Sequence, residues 1–381
     1  MERDPVEVIE RATPAEGLEI LEPRDVPLGG PRAMHVRRTL PQRSRSLIGA
    51  WCFIDHYGPE RTTMTVPPHP HTGLQTVSWL FSGEIEHRDS VGSHAVINPG
   101  ELNLMTAGRG ISHSELSVPL PEARSLPEVL EGSTPALPEA PSLPEAPSLP
   151  EARSLPEAPS LPEVRSLPEV LEGSTPPRPA SGPSPTVPVL HGAQLWIALP
   201  DATRHQPPFF ENYVPEPHYL GAATVRVFIG ALGEVSSPAR VFTELLGAQI
   251  DLPAGASITL PLDLRFEHGV LLDTGSLSVN GTNLPVSHVA YLPVGDSITL
   301  TAGDADARLL LLGGTPLGEQ IVMWWNFIGR THEEIEGFRA DWQQQVIAGG
   351  DDDGRVGLVR GYEGAPLPAP ELPAIRLKPR G

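Results

Sequence analysis

The chain has a single cysteine, Cys52, among 381 residues. One thiol cannot form an internal disulfide, so a disulfide framework is excluded and a reducing compartment is expected. Long apolar runs are missing too. No stretch approaches the roughly 18 uninterrupted apolar residues that a membrane-crossing helix needs, and the charged residues before Gly17 show no secretory signal. A cytoplasmic protein is expected, which makes the Asn280-Gly281-Thr282 sequon incidental. Positive charge is short as well: 27 Lys and Arg stand against 47 Asp and Glu, a formal charge of −20. That balance argues against a nucleic-acid surface as the main function, because phosphate backbones are held by clustered cations. Length sets a prior of two or three domains.

Proline, by contrast, is in excess at 46 residues. Much of it lies in one segment, 119–188. There Ser-Leu-Pro-Glu recurs at Ser125, Ser142, Ser148, Ser154, Ser160 and Ser166, and the eleven residues 125–135 reappear unchanged as 166–176. Proline at this density forbids helix and interrupts ladder hydrogen bonds. One leucine per six residues offers too little apolar area to offset the entropy of ordering the chain. The segment is therefore expected to be a disordered, low-complexity insertion whose removal leaves the fold intact.

The remainder reads as all-β. Residues 36–40, 47–55, 76–81, 84–87 and 102–105 carry β-branched or aromatic side chains between Gly, Pro and Ser turns. After the insertion come 194–199, then 224–229, 243–251, 257–262, 269–273, 276–279, 289–293 and 307–312. Short strands with turns at about ten-residue spacing indicate sandwiches or barrels. Near the end, residues 333–345 have helical spacing, with Ile335, Phe338 and Trp342 on one face, and Thr331 with Glu334 makes a capping box.

The histidines are unevenly placed. Six of the 13 fall between His56 and His113. In an extended strand residues i and i+2 share a face, so His69 and His71 can converge on one point. His113 and Glu115 repeat that spacing. Three imidazoles and a carboxylate suit one divalent first-row ion, Fe, Mn, Co, Ni or Zn, with room left for small ligands. His268 and His288 stand alone in the later strands, where no metal is expected.

The run PHPHTGLQTVSWLFSGEIEHRDSVGSHAVINPGELNLMTAGRGISHSE, from Pro68 to Glu115, resembles the pirin family of two-domain cupins. Phe53-Ile54-Asp55-His56-Tyr57-Gly58-Pro59, Gln194-Leu195-Trp196-Ile197 and Gly318-Glu319-Gln320-Ile321-Val322 support the resemblance. Residues 322–327 (VMWWNF) are similar to a bacterial branch. The resemblance implies an all-β bicupin: two jelly-roll barrels, a short C-terminal helix and the proline-rich insertion. It divides the chain into a metal-binding first cupin at 1–118 continued by 189–221, the insertion at 119–188, a metal-free second cupin with helix at 222–346, and a tail at 347–381. It implies one metal, usually Fe(II), with His69, His71, His113 and Glu115 as ligands. Gln75 and Thr72 stand where many members have Glu and Arg. Some members cleave the flavonol quercetin with dioxygen, and others act as metal-dependent regulators of transcription-factor complexes. The expectation is thus a ring-cleaving dioxygenase taking a small aromatic substrate and O2, with Glu115 as general base. The alternative is a non-catalytic regulator acting through protein partners.

Lesser motifs were weighed beside these. His87 and Asp89 can orient a ligand ring or simply sit on a hairpin. His87-Arg88-Asp89 mimics a kinase catalytic loop but lacks its companions. Asp351-Asp352-Asp353-Gly354 reads as a solvated acidic loop. Trp324-Trp325-Asn326-Phe327 either lines a pocket or packs between domains.

Overall fold

The computed structural model describes residues 17–28, 34–118, 187–295, 297–349 and 354–381. The proline-rich segment, but for its last two residues, and Asp351-Asp352-Asp353 lie outside the described residues.

Each half of the chain builds a jelly-roll barrel from one large and one small antiparallel sheet. In the first barrel the large, seven-stranded sheet runs Phe209–Tyr213, Leu102–Thr106, Leu74–Ser82, Val189–Ala198, Trp51–Arg61, Met34–Leu40, Arg24–Leu28. Its small sheet runs Thr65–His71, Ile111–Ser117, Ile85–Asp89, His94–Ile97. The second barrel repeats the plan. Its large sheet runs Glu19–Leu21, Val289–Leu292, Glu267–Thr274, Ala307–Gly314, Leu245–Leu252, Ala223–Leu232, His218–Leu220, with Val235–Ser236 attached to the 223–232 strand. Its small sheet runs Ser257–Pro261, Ser297–Ala302, Leu277–Val279, Thr282–Leu284. The expected strands are present with ends moved by a few residues. Strands 19–21, 24–28, 94–97, 209–213, 218–220, 235–236, 282–284, 297–302, 322–324 and 327–329 were not anticipated.

The two large sheets pack against each other, so their strands are buried on both faces. Leu309 and Leu311 point into the second barrel's core, while Leu310 and Leu312 enter a shared core with Trp51, Val77, Trp79 and Phe228. Burial on both faces is why 309–312 is an apolar run rather than an alternating one. Trp51 is anchored across the seam, its Nε1 donating to the carbonyls of Leu246 at 3.2 Å and Gly313 at 3.1 Å. Trp79 stacks on Phe228, ring centres 4.5 Å apart, and donates to Gln249. Each such aromatic side chain contributes roughly 1.5–3 kcal/mol through area removed from water.

A polar cluster also bridges the barrels. Asp273 Oδ1 lies 2.7 Å from His56 Nε2 and 2.6 Å from His191 Nε2, while Arg308 donates to Oδ2. Burial acts to raise the Asp273 carboxyl, but its bonds to His191 and His56 win and hold it below the ordinary range.

Thr331 caps the helix His332–Trp342 through its side chain and the Glu334 amide, and Ile335, Phe338 and Trp342 are buried as the periodicity predicts. One π-helical segment, Gln343–Ile347, follows. Residues 354–381 then cross back over the first barrel. Ser112 Oγ donates to the Gly357 carbonyl at 2.8 Å, Leu367 N to Pro68 O at 2.8 Å, and Ile321 and Arg380 exchange two backbone bonds. No helix among the described residues is long and apolar enough to cross a membrane.

Candidate metal centre

The two strands that carry the predicted ligands are neighbours, Thr65–His71 being the edge. An edge is where Pro68 and Pro70 are tolerated, since neither can donate to a ladder on both sides. His69 and His113 sit directly opposite each other in register, and the register then shifts so that Glu115 faces Val66. The shift leaves one extra residue on the proline-bearing strand, a bulge of the kind that re-aims side chains beside sites. On its other side, the Ile111–Ser117 strand pairs without slip, so His113 meets Asp89 and Glu115 meets His87.

Turns hold the strand ends in place. Gly73 has φ +70°, and a Cβ there would lie 2.3 Å from the Ile328 carbonyl oxygen. The Val322–Trp324 and Phe327–Gly329 hairpin is thereby locked to the end of the His69–His71 strand, with Ile328 N donating to Thr72 O at 3.0 Å. Its tip, Trp325, is a non-glycine residue at φ +52°, a conformation uncommon for a bulky side chain.

One ligand atom each from His69, His71 and His113 lie within 4.8 Å of one another. Glu115 comes together with His113 and His87 at the same spacing. The structure therefore brings the three predicted imidazoles to one point and places Glu115 beside it, on the side of His113 that His87 shares. All five side chains are buried. His69 Nδ1 donates to Pro67 O at 2.9 Å, which leaves Nε2 as the lone-pair nitrogen. His71 Nδ1 and His113 Nε2 are buried with no hydrogen-bond partner among the described residues. Each orphaned polar atom costs about 1–3 kcal/mol unless something takes its lone pair.

Electrostatics prepare the same groups. Burial holds the His69 imidazolium pKa down at about 4. Burial, followed by the neighbouring His69, keeps His71 and His113 well below the ordinary histidine value. The three rings are thus neutral at pH 7, the form that ligates. Burial pushes the Glu115 carboxyl up, against His87 and a hydrogen bond of 3.3 Å from Ser78 Oγ. A cation beside it would favour the carboxylate. Orphaned nitrogens, neutral imidazoles and an adjacent carboxyl fit a divalent first-row ion.

A cavity of about 350 Å³ opens onto His69, His71 and Glu115. One wall is a stacked column. Arg38 lies 4.3 Å above Phe53, Phe53 stacks on Trp196 at 4.1 Å, and His71 meets Trp196 edge-on at 5.2 Å. Arg38 also clasps Asp55 with two bonds of 2.7 Å. Trp325, Asn326 and Leu367 line another side, whereas Phe327 belongs to the apolar cluster around the helix. Of the two roles foreseen for the aromatic tetrapeptide, Trp325 and Asn326 take the pocket lining, while Phe327 packs against the helix rather than between the barrels.

Sequence reasoning missed the wall residues Arg38, Asp55, Tyr57, Gln194 and Leu367, and Ser78, which bonds Glu115. All but Leu367 lie on expected strands or at their ends, and Asp55 and Tyr57 alternate inward from Phe53. Setting the inward phase of each strand would have found them. His94 is outside the centre, paired with Glu86 at 2.6 Å, and His56 joins the inter-barrel cluster.

Profiles of known families match both barrels: Pirin over residues 33–126 and the Pirin C-terminal cupin domain over 247–348. A Pseudomonas aeruginosa protein provisionally named quercetin 2,3-dioxygenase is 34% identical over 362 residues, covering 93% of this chain and 91% of that one. Human pirin is 25% identical over 279 residues, 71% of this chain and 73% of the relative. Among solved structures, a quercetin 2,3-dioxygenase from Acinetobacter baumannii superposes with TM-score 0.71 at 30% identity, covering 94% of this chain and 97% of its own. A nickel-complexed bacterial pirin from Escherichia coli shares the fold, with TM-score 0.51 at 14% identity over 78% of this chain and 99% of its own.

Proposed function

The chain belongs to the pirin family, and on that premise we propose that it is a metal-dependent dioxygenase cleaving a flavonol or a similar planar enol. The observation that carries this reading is the pairing of buried, neutral imidazoles bearing orphaned nitrogens with an aromatic-walled cavity. His69, His71, His113 and Glu115 hold the ion, with Fe(II) as the proposed occupant; Mn, Co, Ni and Zn suit the same donors, and the E. coli pirin structure contains nickel. A bound ion would supply Lewis-acid polarisation of an enol oxygen.

The remaining work falls to side chains. Glu115, whose carboxyl burial raises, takes the enol proton as general base. Ser78 Oγ, also 2.9 Å from Gln194 Oε1, steadies that carboxyl. The Phe53–Trp196 column offers an apolar aromatic wall to a planar ring, and Trp325 with Leu367 helps exclude water from the cavity, so the reactants are held together. The similarity to proteins named quercetin 2,3-dioxygenase supports such a substrate.

Oxygen uptake with quercetin, measured on protein loaded in turn with each of these metals, tests the reading. Uptake in at least the iron form, absent in His71→Ala, is expected. Metal bound at one equivalent with no uptake in any form would overturn the dioxygenase assignment and leave the non-catalytic regulatory alternative.

A further inference from the structure

We propose that Asp89 and His87 form a relay of one polarity that fixes the tautomer of His113, so that His113 presents Nε2 to the metal. The inference rests on reading His113 as a ligand.

Its starting point is Asp89, at the end of the Ile85–Asp89 strand. Oδ1 accepts the backbone amides of Val91 at 3.1 Å and Ser93 at 2.8 Å, which fixes the carboxylate within the hairpin turn. Oδ2 lies 3.3 Å from His87 Nε2. A carboxylate already taking two N–H groups can only accept again, so His87 Nε2 carries the ring hydrogen. His87 Nδ1 is then the lone-pair nitrogen, and it faces His113 Nδ1 at 3.4 Å. Two ring nitrogens in contact need one donor, so His113 Nδ1 bears hydrogen. That leaves the lone pair of His113 on Nε2, the atom buried without a partner among the described residues. The two contacts together select one tautomer, and in it the unpartnered Nε2 is the atom left to ligate. The separations are at the long end of hydrogen-bonding range and would shorten as ligation polarises the chain.

The ring of His87 is placed for this role rather than left to chance. It is 2% exposed and stacks on Phe210, centres 4.6 Å apart with planes 19° from parallel. The strand register sets Asp89 opposite His113 and His87 opposite Glu115, so all three relay members share the inner face. Outer partners of metal-bound histidines that fix the tautomer typically govern about 10–100-fold in metal affinity. His87 and Asp89 are positioning residues: neither is assigned contact with substrate.

Two substitutions separate this from a packing role. Asp89→Asn keeps an oxygen for the Val91 and Ser93 amides but offers N–H to His87, which reverses the relay. His87→Phe keeps the stack on Phe210 and removes the relay. Nitrogen-15 NMR of the metal-free protein should show the His113 hydrogen on Nδ1 in the wild type and shifted to Nε2 in Asp89→Asn. Zn(II) affinity, from competition with a chromophoric chelator, should fall about 10–100-fold in both variants, while circular dichroism shows the folded state retained. Wild-type tautomer and affinity in both variants would overturn the relay. So would a second ion per chain that persists in Asp273→Asn and is lost in His87→Phe, since His87, His113 and Glu115 would then form a second ligand set. Wild-type protein that binds no ion while His113 keeps hydrogen on Nδ1 would instead overturn the ligand reading on which the relay depends.

Discussion

The two barrels share a plan and differ in what fills them. In the first, the small-sheet strands 65–71 and 111–117 set His69 opposite His113. In the second, the strands at the same sheet position, 257–261 and 297–302, set Leu260 opposite Ile298. Leu260 and Ile298 join Val225, Ile250, Leu272 and Leu309 in a continuous aliphatic core, whereas His69 and its neighbours surround a cavity. The jelly roll is thus indifferent to its content. One copy spends its interior on stability, the other gives up part of that packing for a polar, candidate metal centre.

The strongest way to test this division is to damage each interior in turn. His113→Ala should abolish stoichiometric metal, read by elemental analysis, while changing the second barrel little. Leu309→Ala should cost about 2–5 kcal/mol by urea denaturation and leave metal content unchanged. Loss of metal in both variants would show that the barrels do not divide the labour.

A pH profile sharpens the same contrast. His268 is fully buried in the second barrel with neither ring nitrogen partnered, and burial lowers its pKa to about 4. Its unfolded value is about 6.5, so the folded state resists a proton that the unfolded state accepts. Stability is therefore full above about pH 6.5 and declines as pH falls toward 4, by up to about 3 kcal/mol. His268→Leu should flatten that decline. His69, His71 and His113 add to it in the metal-free protein, because their pKa values are lowered too. Metal loading should raise the whole curve and carry the decline below pH 4, because ligated rings refuse the proton to still lower pH while the unfolded chain accepts it. A profile that metal leaves unchanged at every pH would contradict the assignment of the first-barrel rings.

The smallest effect concerns the seam between the barrels. Trp51→Phe removes one donor shared by two buried carbonyls and should cost about 1–2 kcal/mol, lowering the melting temperature without touching metal affinity.

The candidate centre was legible because its grammar is local. Two i, i+2 pairs on strands identify His69, His71, His113 and Glu115 as groups that can share a face, and the strand period does the rest. The association of Glu115 with His87 was not legible, since it depends on which strand lies on each side of 111–117 and on the slip beside Pro67 and Pro68. The barrel count was readable from strand rhythm, and the helix from its apolar spacing and its threonine cap. The His56–His191–Asp273 cluster was not, because its members meet only when two barrels dock. Nor was Leu367, whose segment carries prolines and no periodicity yet ends against Pro68.

That segment and the strand Glu19–Leu21 cross in opposite senses. Residues 19–21 complete the large sheet of the second barrel by covering Val289–Leu292, and residues 354–380 complete the surface of the first. Neither half can be excised cleanly along the linear sequence. A fragment ending before residue 222 would lack the lining that Trp325, Asn326 and Leu367 provide. One starting there would expose the naked rim of Val289–Leu292, an invitation to intermolecular strand addition and aggregation. On the ribosome, residues 19–21 must wait for the barrel translated after them, and residues 354–380 finish the one translated before them.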